Sequence, residues 1–173
     1  RSHRWWGADW SENIILWQHI EPGKEKYAPD QPLGPWGNPD YEASAKGTHF
    51  VNNTAWSLEQ RITLIDQLGA SYLTSQANFP FSAALEARRL GLRAHLKSIH
   101  SHGMKPEPEF KQAVIGTIAE HWRAMYSAKE GGRMGYSCPG GDHYHINAET
   151  VLVEVVDDHG FPCKVGEEGR IIV

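Results

Sequence analysis

From Ser57 to Tyr126, strand-like and helix-like stretches alternate, and this alternation restricts the fold more than any other feature of the chain. Ser57 and Gln60 have the spacing of a capping box. Leu58, Ile62, Ile65 and Leu68 then recur at helical spacing, and Gly69 stands where a C-terminal cap belongs. Residues 70–75 read as a short strand, and Pro80 opens a second helix that ends near Gly91. Residues 96–100 form the next strand. Phe110, Val114 and Ile118 mark one face of a third helix after Pro108, and residues 124–126 follow as a strand. Such a pattern predicts an α/β layer with a largely parallel sheet, whose ligands sit beyond the carboxyl ends of the strands.

The flanks differ in character. Residues 1–56 hold six of the seven Trp, with Pro29, Pro32, Pro35 and Pro39 close together. Proline removes amide donors, so this part reads as a loop-rich layer with one helix-like stretch over residues 11–20. Beyond Tyr144, residues 151–156 and 170–173 read as strands, and the Asp157-Asp158-His159-Gly160 turn between them suggests an antiparallel addition. The chain therefore divides into a Trp/Pro segment (1–56), an α/β part (57–137) and a β-rich part (138–173) of one continuous domain.

At 173 residues the chain can bury one proper core but not two. A net charge of −4 offers no attraction to nucleic acid or anionic membrane. No apolar run reaches the roughly 18 residues of a membrane span, and no signal-peptide pattern opens the chain, so a cytoplasmic address is expected. Two cysteines are too few for a disulfide framework. The chain begins without Met and stops on the strand-like Arg170-Ile171-Ile172-Val173, which reads as an excised internal piece of a longer protein.

The stretch Tyr126-Ser127-Ala128-Lys129-Glu130-Gly131-Gly132 is followed by Cys138-Pro139, Tyr144-His145-Ile146-Asn147-Ala148-Glu149 and Gly166-Glu167-Glu168-Gly169-Arg170. Over residues 120–173 this order resembles the phenylacetate-coenzyme A ligase and coenzyme F390 synthetase family of adenylate-forming, AMP-binding enzymes. The resemblance implies a piece of their large N-terminal domain. Tyr126 and Glu130 fall at the aromatic and acidic positions of the family's Y-G-x-T-E motif, the ring near adenine and the carboxylate near the ATP phosphates through Mg²⁺. A flat apolar ring suits a purine, and a carboxylate needs a divalent cation between itself and phosphate.

Ser127 replaces Gly, and Lys129 replaces Thr. A lysine repels Mg²⁺ yet attracts phosphate, so the phosphate contact is remodelled or the activity altered. Ser101-His102-Gly103 stands where the family's other nucleotide-contacting loop falls, but with Met104 at its acidic position. Taken without the resemblance, Tyr126 equally suits a packed strand residue, Glu130 a solvated loop charge and Gly103 an ordinary turn.

Cys138, His143, His145 and Cys163 are ligand types suited to zinc. An extended backbone puts both histidines on one face. The competing reading makes Cys138 and Cys163 buried thiols and the histidines surface groups. His100 and His102 share the i, i+2 spacing.

The resemblance implies an ATP-dependent ligase that forms an acyl-adenylate and then a coenzyme A thioester, on an aryl acid such as phenylacetate. Trp5, Trp6, Phe79 and Phe81 are candidates to line the aryl pocket. The family's phosphate loop and catalytic lysine fall outside this chain, which is thus expected to be inactive alone. The alternative is a zinc-stabilised binding or scaffold module that keeps the fold without adenylation. A metal hydrolase finds no HExxH-type helix. Oligomeric state is not legible.

Overall fold

The computed structural model of the chain describes residues 5–21, 23–28, 30–36 and 46–173. Two compact units divide at Ala124/Met125. The fold is α/β, and the strands follow the hydrogen-bonded order His49–Asn53, Ile14–Gln18, Tyr72–Gln76, Leu96–His102, Ala119–Ala128, Gly132–Ser137, Tyr144–Ile146, with the first five parallel.

In the first unit the strands are β1 (Ile14–Gln18), β2 (His49–Asn53), β3 (Tyr72–Gln76), β4 (Leu96–His102) and the first half of β5 (Ala119–Ala128). Among the described residues three helices connect them: α1 (Leu58–Leu68), α2 (Phe79–Leu90) and α3 (Pro108–Val114). The capping box is formed: the Ser57 hydroxyl accepts from the Gln60 amide at 3.2 Å, and the Gln60 side chain accepts from the Ser57 amide at 2.9 Å. Gly69 closes α1 and Gly91 closes α2, each left-handed at φ 55° and 68°.

Alternation along the strands sorts side chains between two faces. Ile15, Leu73 and Ile99, all fully buried, face the helices with Ile62, Ile65, Ala83, Ala87 and Val114. Each of the Ile, Leu and Val side chains in this group contributes about 1.5–3 kcal/mol on burial. The opposite face carries Ile14, Leu16 and Tyr72, with Trp36 packed against them. A parallel sheet needs both faces covered, and this second cover comes from the Trp-rich segment. Trp36 stacks on Trp10 at 4.5 Å, and Trp6 lies 4.6 Å from His100.

In the second unit the rest of β5 pairs antiparallel with β6 (Gly132–Ser137), which pairs with β7 (Tyr144–Ile146). A separate antiparallel pair joins β8 (Glu154–Val156) to β9 (Arg170–Ile172). Gly160, at φ 87°, serves the turn after β8.

Four expectations change. Residues 11–20 hold strand β1, not a helix, because Ile14, Ile15 and Leu16 sit on both faces of a covered sheet. The third helix stops at Val114: Gly116 takes φ 77°, and Ile118 reaches the core from the turn beyond it. The following strand starts at Ala119 and is ten residues long. The strand expected over 151–156 shortens to Glu154–Val156. Pro32 and Pro35 lie in irregular backbone, Pro35 bridging Thr48, whereas Pro29 and Pro39 fall outside the described residues.

Candidate functional site

Near the carboxyl ends of β1 and β3 the first unit has a cleft of about 710 Å³, lined by Trp17, His19, Thr54, Arg61, Gln76 and Phe79 among others. Arg61 dominates its electrostatics. The side chain lies on the buried stripe of α1 at 9% exposure, and loss of solvent pushes its pKa down to about 10. Its Nε donates to the Asn52 Oδ1, and its guanidinium lies 3.9 Å above the centre of the Phe79 ring. Arg61 Nη2, Asn52 Nδ2 and Asn53 Nδ2 are buried donors with no acceptor among the described residues. Of these three residues Arg61 alone lines the cleft, and its cation suits an anionic ligand there. Sequence reasoning passed over this group. The available signal was an arginine at position 61 on a stripe otherwise made by Leu58, Ile62, Ile65 and Leu68.

Ser101 and His102 end β4, and Gly103 bends the chain away at φ 99°. Ser101 is 1% exposed, and its hydroxyl accepts from the Trp122 indole N–H at 2.8 Å, making it a core contact. His102 pairs in register with Gln76 and meets the Trp17 ring edge-on at 5.7 Å, which brings it beside two residues of the cleft. His100 instead packs against Trp6 and Tyr72. Of the proposed aryl-pocket residues, Phe79 lines the cleft, and Phe81 stacks on Phe110 at 4.3 Å.

In the second unit Tyr126, Ser127 and Ala128 finish β5, and Lys129 and Glu130 form the turn into β6. The register slips between Tyr126 and Ser127, a bulge that re-aims the side chains around it. Tyr126 is 40% exposed and meets Tyr144 edge-on at 6.1 Å. Lys129 and Glu130 are exposed at the hairpin tip, so a polyanion can reach both.

Cys138, His143 and His145 come together at the other end of β6, their ligand atoms all within 4.8 Å of one another. Cys163 is not among them. Its thiol lies near the Glu168 carbonyl at 3.7 Å, and burial, with the Glu167 and Asp157 carboxylates adding to it, pushes its pKa up.

No family model and no curated protein matches the sequence. Solved structures do. The chain superposes on 2-hydroxyisobutyryl-CoA ligase in its postadenylation state with a TM-score of 0.74 at 14% identity, over 99% of this chain and 37% of that one. A long-chain-fatty-acid-CoA ligase from Archaeoglobus fulgidus gives a TM-score of 0.59 at 10% identity, over 98% and 35%. The amide bond synthetase McbA from Marinactinospora thermotolerans gives 0.58 at 15%, over 93% and 32%. The chain has the fold of part of an adenylate-forming ligase. It spans about a third of the length of these proteins, and at such identities the likeness carries the fold while the site residues stand on their own geometry. Among the described residues, no helix is long and apolar enough to cross a membrane.

Proposed function

We propose that the full-length protein activates a carboxylic acid with ATP and passes the acyl group to coenzyme A. The observation that carries this reading is the superposition of nearly the whole chain on a CoA ligase. A carboxylate oxygen of the acid attacks the α-phosphorus of ATP, the bond to the bridging oxygen breaks, and pyrophosphate leaves. The coenzyme A thiol then loses its proton and attacks the acyl carbon, and AMP departs with the carbon–oxygen electron pair. No protein nucleophile is needed, so this chain's residues act by positioning and by balancing charge.

Tyr126 offers its exposed ring to adenine. Glu130 would hold Mg²⁺, which neutralises phosphate charge when bound. The fit is supported by a carboxylate that is exposed and has no ion-pair partner among the described residues. Lys129, exposed beside it, contacts phosphate directly in place of a threonine hydroxyl. Ser127 and Ala128 hold the strand that presents these groups, and in the first unit His102 and Gly103, at the end of β4, are the other candidate nucleotide contacts. The α/β part at 57–137 is the adenylation part of the domain and 138–173 its β-rich extension. The cleft combines the Trp17 and Phe79 rings with the Arg61 cation, a setting for an aryl acid such as phenylacetate.

Lys129 also favours a second reading, a binding module that keeps the fold without adenylation. Thioester formation separates the two. Full-length protein given ATP, Mg²⁺, coenzyme A and a panel of aryl and fatty acids is expected to yield an acyl-CoA with at least one aryl acid. Nucleotide binding without thioester from any acid would select the binding module.

A further inference from the structure

We propose that Cys138, His143 and His145 form a zinc site with three protein ligands and one position open to water. The argument begins with the backbone. In the β6–β7 ladder Ser137 pairs with Tyr144 and Tyr136 with His145. The Cys138 amide continues that ladder by donating to the His143 carbonyl at 2.8 Å. Cys138 and His143 therefore stand opposite each other, and His145, two residues on from His143, shares their face. The register thus gathers the three side chains before any rotamer is chosen.

The side chains complete the arrangement. The His143 and His145 ring centres are 4.9 Å apart, and all three ligand atoms lie within 4.8 Å of one another. Tetrahedral zinc, with Zn–N near 2.0–2.1 Å and Zn–S near 2.3 Å, needs donor atoms roughly 3.3–3.6 Å apart. Small rotations about χ1 and χ2 of two exposed histidines close that gap.

Two features of the connecting turn favour the grouping. The Gly140 amide donates to the Cys138 sulfur at 3.4 Å, which ties the sulfur to the turn. At Gly141 a Cβ would lie 2.9 Å from His143 Nδ1, so glycine leaves the space in which that ring turns toward Cys138. One thiolate and two imidazoles make a borderline-soft donor set, which suits zinc over calcium or magnesium. Cys163, also expected as a ligand from sequence, is outside the group, so the fourth position belongs to water. Metal here would pin the 138–145 turn to its own hairpin.

The test uses full-length protein, stripped of metal and titrated with Zn²⁺ or Co²⁺, and its readouts are independent of ligase activity. The proposal expects one equivalent of zinc per chain and, with cobalt, an absorption band from thiolate-to-metal charge transfer. Zinc should slow the labelling of Cys138 by iodoacetamide and leave the labelling rate of Cys163 unchanged, a readout that needs no variant. Cys138→Ser should abolish the band. His143→Ala and His145→Ala should each weaken zinc binding by more than the roughly 10–100-fold cost of losing an outer-shell partner. Cys163→Ser should leave zinc binding unchanged. Absence of the cobalt band, unshielded Cys138, or a loss in Cys163→Ser equal to that in Cys138→Ser would overturn the site.

Discussion

Ser101 and Trp122 offer a direct test of whether a β4 residue belongs to the core or to the ligand. The indole N–H donates to the Ser101 hydroxyl at 2.8 Å, with exposures of 3% for Trp122 and 1% for Ser101. Ser101→Ala strands a buried donor, so the expected cost is about 1–3 kcal/mol. Trp122→Phe removes the donor and some packing, leaving a hydroxyl that can rotate to another acceptor. In the double variant neither polar partner remains. Its cost should fall below the sum of the single costs by about 1 kcal/mol, the worth of a net hydrogen bond. Urea unfolding of the full-length protein and the three variants, followed by circular dichroism, gives the cycle. The apparent ATP affinity of Ser101→Ala should stay at the wild-type value. Additivity within about 0.3 kcal/mol, or a stable Ser101→Ala protein with weakened ATP binding, would refute the core assignment.

Two further changes probe the frame around the site. Ser57→Ala breaks the capping box of α1 and should cost about 1 kcal/mol, seen as a lower urea midpoint with an unchanged slope. Gly47→Ala would drive a methyl group into the Glu12 carbonyl, which already accepts from the Trp36 indole at 2.6 Å. Overpacking of this kind costs about 1–3 kcal/mol, and the Trp36 amide should lose protection from hydrogen exchange.

Local signals made much of the fold legible. The capping box, the Gly69 and Gly91 caps and the order of strands and helices depend on neighbours a few residues apart; the caps appear where the pattern puts them, and the order holds although the third helix and the strand after it change their bounds. Strand β1 was misread because Ile14, Ile15, Leu16 and Trp17 form a continuous apolar run. In a sheet covered on both faces such a run lacks the alternation that marks a half-exposed strand. The overlong third helix has a similar cause, since Ile118 reaches the same core from beyond the Gly116 turn as a helical residue would.

At the candidate sites, same-face histidines follow from the two-residue period of a strand, and Cys138 joins them through the register. The Arg61–Asn52–Phe79 group was not legible as a unit. It joins β2, α1 and α2, and a sequence read locally cannot pair them.

The measurement that bears most directly on the central claim is ATP–pyrophosphate exchange by the full-length protein, wild type beside Glu130→Gln. Exchange that requires a carboxylic acid and falls by about 100-fold or more in the variant, the scale on which loss of one electrostatic stabiliser acts, is the predicted result. Exchange undiminished in Glu130→Gln would contradict the role given to that carboxylate, and no exchange with any acid would contradict adenylation itself.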